Sequence, residues 1–187
     1  RSSRKMNLKK ALIASENIEN DSVQLKNLSR LSLAYLLFKD SLMFREANKR
    51  TFELAERVND SVTLANAYWD LGDFYKNNVV SDSAYYHYSK AQKIFQFLAD
   101  DYGTATMLNN MAIVQAGVKD YTGSEITTIK AIEILKPLDN NEQLYVGYNN
   151  LGSVTKELKE YNRALDYYNA ALQFQKKINY ENNFDLD

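Results

Sequence analysis

Few residues of this sequence have the type and spacing that catalysis requires. His87 is the only histidine and there is no cysteine, so the chain lacks the ligands for a thiolate or paired-histidine zinc site. The carboxylate pair Asp100-Asp101 lies in a polar stretch, where helix capping explains it without a general acid. No G-x-x-x-x-G-K-[ST] or G-x-G-x-x-G motif is present to hold a phosphate group. We therefore predict that this segment is not an enzyme and binds neither metal nor cofactor.

The aromatic and charged residues do not form a pattern typical of a surface for nucleic acid or membrane. Tyr85-Tyr86 and Tyr167-Tyr168 could stack on bases, but helical spacing makes packing the simpler explanation. The net charge of -1 and a pI near 6.0 give no basic groove, so we expect no nucleic-acid partner. No apolar run approaches the roughly 20 residues that span a bilayer, so we expect no membrane insertion of this segment.

The elements that position these side chains are predicted to be helices. The sequence has only six glycines and one proline, and its apolar residues recur at three- and four-residue spacing, as in Leu28, Leu31 and Tyr35. Clusters of Asn and Asp, which favour turns and helix N-caps, return about every 40 residues. They are residues 19–22, 59–61, 100–101 and 139–141.

A 40-residue period runs through the whole chain. One column of small residues consists of Ser32, Gly72, Ala112 and Gly152. A second column consists of Ala11, Thr51, Ala91, Ala131 and Ala171. Small residues at fixed positions allow two helices to approach closely, and a hairpin that repeats must stack on its neighbours to bury its apolar stripe. The sequence therefore predicts an all-α fold, an α-solenoid of stacked antiparallel helical hairpins.

The period also predicts where each helix lies. First helices are expected at residues 22–38, 62–77, 102–117 and 142–157. Second helices are expected at residues 5–18, 42–58, 82–98, 121–137 and 161–178. The single solenoid, 1–187, then divides into the second helix of a partial repeat (1–20), repeats at about 21–60, 61–100, 101–140 and 141–180, and the start of a further repeat (181–187). This division predicts that the chain is a segment of a longer protein.

The repeat resembles the tetratricopeptide repeat. The family pattern of aromatic, Leu-Gly, Tyr, then Ala, aromatic, Ala is matched by Tyr68, Leu71-Gly72, Tyr75, Ala84, Tyr88 and Ala91. The last unit matches with Tyr148, Leu151-Gly152, Ala164, Tyr168 and Ala171, although Thr155 replaces the expected Tyr. The resemblance implies a right-handed superhelix, and each unit is longer than the standard 34-residue repeat. This fold serves mostly as a binding scaffold, so the resemblance specifies the fold more than the function.

In the tetratricopeptide family one face of the first helices lines a concave groove, and helical geometry identifies the residues of that face here. They are Asn66, Trp69, Asp73, Lys76, Asn109, Ile113, Asn149, Ser153 and Lys156. Trp69, the only tryptophan, is predicted to anchor a protein or peptide partner. Asn109 and Asn149 either form a ladder of amides for an extended peptide or bridge adjacent helices. The sequence leaves these two alternatives open.

The stretch SLAYLLF is apolar on almost all sides, with Leu33, Leu36, Leu37 and Phe38. A helix that is apolar all round is normally buried. We expect an upstream unit to cover it, the alternative being an apolar pocket at this end of the groove.

Two functional classes are compatible with such a scaffold. The phrases DSAYYHYSKAQ, LNNMAIVQAGVKDYTGSE and YNNLGSVTKELKEYNRALDYYNAAL resemble the repeat region of bacterial sensor histidine kinases. That resemblance implies an input segment of a signalling protein, extracytoplasmic (periplasmic) and membrane-anchored, whose curvature or homodimer contacts respond to a ligand. The alternative is a cytoplasmic scaffold or the peptide-receptor region of a transcriptional regulator.

Overall fold

The computed structural model describes the backbone of residues 2–184 and the side chains of residues 6–179. Every regular element in this part of the chain is helical, which confirms the prediction of an all-α fold. The elements are α1 (Ser2–Ser15), α2 (Asp21–Leu37), α3 (Ser41–Arg57), α4 (Ser61–Asn77), α5 (Ser81–Phe97), α6 (Asp101–Gly117), α7 (Tyr121–Leu135), a 3-10 turn (Lys136–Leu138), α8 (Asn141–Glu157) and α9 (Tyr161–Phe184).

The helices pack as a row of hairpins. Helix α2 packs on α3, α4 on α5, α6 on α7 and α8 on α9, and each hairpin contacts the next through its neighbouring helices. First helices of neighbouring hairpins also touch, α2 with α4 and α6 with α8. The structure is therefore an α-solenoid, as the 40-residue period predicts.

The predicted helix boundaries agree with the observed ones to within a few residues, except at the end of the chain. Helix α9 does not stop near residue 178 but continues to Phe184. Residues 181–184, where the sequence predicts the start of a further repeat, thus belong to the same helix, and residues 185–187 lie outside the described part. A continuous helix forms because residues 172–184 contain no glycine or proline that would end it.

Three-residue turns join most of the helices and recur every 20 residues. A residue with positive φ stands in each: Lys39, Asn59, Val79, Ala99, Lys119, Asp139 and Lys159. In the first of them, the N–H of Asp40 donates to the carbonyl of Tyr35 at 3.0 Å, which closes the end of α2 in a Schellman-type motif. The next residue often caps the following helix with its side chain: Asp40, Asp60, Asp100, Asp120 and Asn140.

The small-residue columns lie in the contacts between helices. The first column is buried throughout, and the ring of Tyr88 covers Gly72 as the ring of Tyr168 covers Gly152. A Cβ at Gly72 would lie 2.4 Å from Tyr88 Cδ1. The second column is also buried except for Ala11, which is exposed. These contacts explain why only small residues occupy the first column.

Three apolar clusters follow one another along the row. The first includes Leu28, Tyr35, Phe44 and Leu54, the second Tyr88, Phe95, Met107 and Met111, and the third Ala131, Ile132, Leu135, Leu144 and Leu151. Each cluster draws residues from successive hairpins, so the core is elongated rather than central.

The apolar stretch of α2 is only partly covered. Tyr35 is buried, but Leu33, Leu37 and Phe38 are 47%, 73% and 41% exposed. Nothing among the described residues therefore covers this face of α2, and Leu33 lies open on a first helix.

Candidate functional site

The predicted groove residues lie on the first helices α4, α6 and α8, and their burial differs from one repeat to the next. On α4 all four residues are half-buried: Asn66, Trp69, Asp73 and Lys76. On α8 all three are exposed: Asn149, Ser153 and Lys156. On α6 Asn109 is buried, whereas Ile113 is 37% exposed. The face is thus accessible at some of the predicted positions and closed at others.

Asp73 connects the groove face to the second helix behind it. The hydroxyl of Tyr88 donates to Asp73 Oδ1 at 2.6 Å, and Lys76 Nζ lies 2.9 Å from the same oxygen. Lys76 Nζ also lies 5.7 Å from the centre of the Tyr88 ring. Burial, the hydrogen bond to Asp73 and the carboxylate charge all raise the pKa of Tyr88, so its hydroxyl stays a donor. The three side chains hold one another in place on α4 and α5.

The corresponding pair two repeats later is uncharged. Ser153 Oγ and the hydroxyl of Tyr168 lie 3.2 Å apart, at the positions that Asp73 and Tyr88 occupy in the earlier repeat. Lys156 pairs with its neighbour Glu157, with Nζ 3.5 Å from Oε1. The predicted groove positions therefore keep the contact with a tyrosine hydroxyl in these two repeats while their charge changes.

Asn109 and Asn149 occupy the same repeat position but do not form a ladder. Asn109 is 2% exposed, and its Nδ2 donates to the side chain of Gln143 on α8 at 3.2 Å. Asn149 is exposed, and its side chain has no hydrogen-bond partner among the described residues. Asn109 is thus a bridge between α6 and α8, because α8 lies beside it, and only Asn149 is free to meet a ligand.

Trp69 is partly engaged in packing. Its ring meets Phe95 of α5 edge to face, with the ring centres 6.4 Å apart, and it borders the second apolar cluster. The residue as a whole is only partly buried. The sequence places Trp69 off the packing stripe, and in the structure it nevertheless packs against Phe95 while remaining partly exposed.

One groove column alternates in character along the solenoid. Leu33 and Ile113 are apolar and are 47% and 37% exposed, whereas Asp73 and Ser153 are polar and contact tyrosines. These four residues are spaced by 40 along the sequence, one on each first helix from α2 to α8. An extended chain lying along the face would meet apolar and polar side chains in turn.

A buried polar network that the sequence did not single out lies beside the groove. Asn48 Nδ2 donates to Ser32 Oγ at 3.3 Å and to the carbonyl of Ala67 at 3.2 Å, and Ser32 Oγ donates to Asp70 Oδ2 at 3.3 Å. Burial raises the pKa of Asp70, the hydrogen bond from Ser32 lowers it and the negative charge of Asp73 raises it slightly, so that the pKa is about 7 in total. The 38-residue separation of Ser32 and Asp70 gave no pattern by which sequence analysis could pair them.

His87 is a packing residue in the structure. Its ring stacks on Tyr75 with the ring centres 5.2 Å apart and meets Tyr86 edge to face. Burial lowers the pKa of His87, so the imidazole is neutral at physiological pH.

Among the described side chains, those of residues 6–179, no group of three or more His, Asp or Glu residues is arranged to hold a metal ion. No helix in this range combines the length and the apolar character needed to cross a membrane.

No protein-family model matches the sequence, and a search of curated proteins found no significant match. Solved structures do resemble it. BtubC from P. vanneervenii superposes with a TM-score of 0.81 at 16% identity, covering 95% of this chain and 74% of that one. Aspartyl phosphate phosphatase F from Bacillus subtilis superposes with a TM-score of 0.86 at 13% identity, and the match covers 92% of this chain and 45% of that one.

A third similar structure is a signal transduction ATPase with numerous domains from Pyrococcus horikoshii, which carries a tetratricopeptide repeat sensor. It gives a TM-score of 0.80 at 19% identity, covering 93% of this chain and 27% of that one. The chain thus spans less than half the length of two of these three proteins. At such identities the likeness shows a shared fold, that of tetratricopeptide-type helical repeats.

Proposed function

We propose that this chain is a non-catalytic binding domain whose groove face, formed by α2, α4, α6 and α8, holds an extended segment of a partner protein. The observation that carries the proposal is the column of Leu33, Asp73, Ile113 and Ser153, in which exposed apolar residues alternate with anchored polar ones. An extended peptide presents its side chains alternately to two sides, so a surface of mixed character can select among sequences.

Two further residues supply the contacts that such a peptide needs. Trp69 is fixed on Phe95 by one edge, and an aromatic ring that is already ordered loses little entropy when a partner covers it. Asn149 has a free amide group, which can both donate to and accept from a peptide backbone. Asn109 supports the surface through its bridge to Gln143 and is not proposed as a ligand contact.

The proposal is tested by selecting peptides from a random displayed library and measuring their affinity by titration calorimetry. Trp69→Ala should weaken a selected peptide by about 2 kcal/mol, the size of a typical aromatic hot spot. Asn149→Ala should weaken it by about 0.5–1.5 kcal/mol, the net value of one hydrogen bond. Emission from Trp69, the only tryptophan, should change as the peptide saturates the wild-type chain.

The control is Phe97→Ala, an aromatic truncation on the second helix α5, where Phe97 is 85% exposed. This variant should keep the wild-type affinity. Full affinity in both Trp69→Ala and Asn149→Ala would instead assign the peptide to the second helices or to the ends of the solenoid, and the groove would be abandoned.

We further propose that the domain is the input segment of a larger bacterial signalling protein such as a histidine kinase, extracytoplasmic and joined to a membrane anchor. The resemblance of its phrases to repeat regions of sensor kinases supports this role, as does a similar fold in a protein described as carrying a repeat sensor. Binding in the groove would then favour one curvature or one homodimer arrangement over another, as a ligand can only do by binding the two states unequally. The alternative remains a cytoplasmic scaffold or transcriptional regulator.

The flanking sequence of the gene separates these roles. A signal peptide, a membrane helix and a kinase module around this segment would support the sensor, whereas a helix-turn-helix domain would support the regulator. Absence of any output domain from the complete reading frame would contradict the sensor role and leave the binding function intact.

A further inference from the structure

The exposed side of α5 carries a line of aromatic and basic side chains, which we call the α5 stripe. It consists of Tyr86, Lys90, Lys93 and Phe97, whose spacing of four, three and four residues places them along one side of the helix. All four are exposed, Tyr86 by 54% and Phe97 by 85%. Because α5 is a second helix, the stripe is separate from the groove face.

The charges of the stripe are unpaired and lie beside an aromatic ring. The ring of Tyr86 meets His87 edge to face, with the ring centres 5.1 Å apart, and Lys90 Nζ lies 5.5 Å from the centre of the Tyr86 ring. Neither Lys90 nor Lys93 forms an ion pair with a described residue. The only acidic residue of α5 is Asp82, in its first turn. The stripe itself is therefore positively charged.

Helix α7 carries similar side chains at the same repeat positions. Ile126 and Lys130 lie 40 residues after the first two residues of the stripe, and Ile126 is 51% exposed. Lys136 follows directly after α7, and both lysines are exposed and have no ion pair with a described residue. Glu133 is the only exposed acidic residue of α7. This surface thus has unpaired lysines on two helices, although the chain as a whole has a net charge of -1.

The fold does not require such a stripe. At the same positions α3 has Glu46, Arg50, Glu53 and Arg57, so its charges balance. Arg50 Nε lies 2.7 Å from Glu46 Oε1, and Arg57 Nη2 lies 2.7 Å from Asp21 Oδ1. A second helix therefore packs in this solenoid without unpaired cations or aromatic rings at these positions.

The side chains of the stripe favour a lipid surface over a protein or a nucleic acid. Protein interfaces are enriched in arginine and depleted in lysine, because the planar guanidinium pairs with carboxylates at a fixed geometry. The basic residues of this surface are all lysines, which attract an anionic bilayer without a fixed geometry. Aromatic rings beside lysines suit the headgroup level of a bilayer, where the rings leave water and the ammonium groups remain in it. A nucleic-acid backbone would leave Phe97 and Ile126 in water.

We propose that the α5 stripe attaches this domain peripherally to an anionic lipid bilayer. Its lysines, together with Lys130 and Lys136, lie against the lipid phosphates, and the rings of Tyr86 and Phe97 lie between the headgroups. No helix of the described chain is able to cross a membrane, so the contact is confined to the surface. The groove face belongs to the first helices and stays open. Failure of either this proposal or the proposed function therefore leaves the other standing.

The test is cosedimentation of the whole chain with vesicles of phosphatidylcholine, alone or mixed with an equal amount of phosphatidylglycerol. The chain should sediment with the mixed vesicles only, and salt at about 1 M should release it, because charges more than about 3 Å apart are then screened. Lys90→Gln combined with Lys93→Gln should weaken binding about 25-fold, since each lysine near an anionic surface contributes about fivefold. Phe97→Ala should weaken it about fivefold, as expected when about 40 Å² of apolar surface is no longer removed from water.

Lys26→Gln combined with Arg30→Gln is the matched control. It removes the same charge from exposed positions of the first helix α2, where neither residue has an ion pair with a described residue. The control should change the affinity by less than about twofold, because charges distant from the lipid are screened. Circular dichroism of each variant verifies that its helices are intact.

A fluorescent label reports which face meets the lipid, since the chain has no cysteine and one can be introduced at a chosen place. An environment-sensitive dye on Gln96→Cys, beside the stripe, should shift its emission to the blue when mixed vesicles are added. The same dye on Asn149→Cys, on the groove face of α8, should not. Absence of sedimentation would overturn the proposal and leave the stripe to an acidic protein surface. Equal binding to both kinds of vesicle, an equal loss in the α2 control, or a blue shift at residue 149 alone would overturn it as well.

Discussion

At the scale of single residues, the junction of α2, α3 and α4 contains a carboxyl group with a raised pKa, that of Asp70. Asp70 receives a hydrogen bond from Ser32, which in turn receives one from Asn48, and all three side chains lie where two hairpins meet. One hydrogen bond does not replace the water that a carboxylate loses on burial, and the charge of Asp73 adds repulsion. Burial therefore favours the protonated form of Asp70 more strongly than the hydrogen bond from Ser32 favours the carboxylate.

The protonation of Asp70 predicts a pH-dependent stability. Between about pH 4 and pH 7 the folded chain binds more protons at Asp70 than the unfolded chain, because the folded pKa is about 7 and the unfolded pKa about 3.9. The free energy of unfolding should thus fall as pH rises through this window. Asp70→Asn can still accept from Ser32 without titrating, so it should nearly equal wild type near pH 4 and exceed it by up to about 4 kcal/mol at pH 8.

The measurement is urea unfolding at several pH values, with the difference between wild type and Asp70→Asn as the result. Asp166→Asn, on an exposed residue of α9, controls for the loss of one negative charge. A difference that stays constant from pH 4 to pH 8 would show that Asp70 does not titrate in this window.

The contact between Gly72 and Tyr88 predicts a cost for a single methyl group. Tyr88 is fully buried and tied to Asp73, so its ring cannot yield easily to a Cβ that would lie 2.4 Å away. Gly72→Ala should lower the free energy of unfolding by about 1–3 kcal/mol. Gly117→Ala is the control, because nothing lies within 4 Å of its Cβ position, and should be neutral or stabilising by up to about 1 kcal/mol. Equal melting temperatures for Gly72→Ala and wild type would disprove the steric account.

At the scale of helices and turns, the structure has a period of 20 within the 40-residue repeat. Most helices are 17 residues long and are followed by a short turn with one left-handed residue and one capping residue. The turn between α4 and α5 departs from this pattern: its left-handed residue is Val79, and Val80 provides no side-chain cap. A β-branched residue in the left-handed region is strained. The turn is instead closed by the Asn78 side chain, whose Nδ2 donates to the carbonyl of Phe74 at 2.7 Å, and by the N–H of Val80, which donates to the carbonyl of Tyr75 at 2.9 Å.

Relief of this strain should stabilise the chain. Val79 has φ of 60° and is 86% exposed, so Val79→Gly loses little packing and removes the steric cost. The free energy of unfolding should rise by about 0.5–1 kcal/mol, after the greater freedom of glycine in the unfolded chain is subtracted. Asn59→Gly, at the same place in the previous turn, should change it little, because asparagine tolerates this conformation. Thermal unfolding of both variants measures the contrast, and a destabilised Val79→Gly would contradict it.

At the scale of the whole molecule, the stability of each hairpin depends on its contacts with the neighbouring hairpins. The three apolar clusters each join neighbouring units, and no residue of the first belongs to the third. The described part of α1 buries only Leu12 and Ser15, whereas α6 buries nine residues. In such an array the opening free energy of each unit depends on its own contacts and those of its neighbours.

Native-state hydrogen exchange should therefore be graded along the chain. Amides of α6 should exchange only on global unfolding, and those of α1 at least about tenfold faster through local opening. Leu12→Ala should accelerate exchange in α1 while leaving α7 unchanged. Uniform protection from α1 to α9 would show a single cooperative unit instead.

The sequence by itself determined the helices, the turns and the order of the hairpins. These follow from local patterns, such as the apolar stripes and the column of Ser32, Gly72, Ala112 and Gly152. Because the patterns recur every 40 residues, the assignment of each helix is supported by the same pattern in the other repeats. Even the Asn and Asp turns could be placed, since their side chains act on backbone only a few residues away.

Only the tertiary structure decided which polar side chains are buried and hydrogen-bonded and which are exposed. Asn109 and Asn149 are indistinguishable by repeat position, yet Asn109 is buried because Gln143 of α8 lies beside it, while Asn149 is exposed. The raised pKa of Asp70 and the unpartnered hydroxyl of Tyr35 likewise depend on helices from other hairpins. Burial and hydrogen bonding are properties of what surrounds a side chain, and those surroundings come from residues distant in sequence, whose pairing no local pattern records.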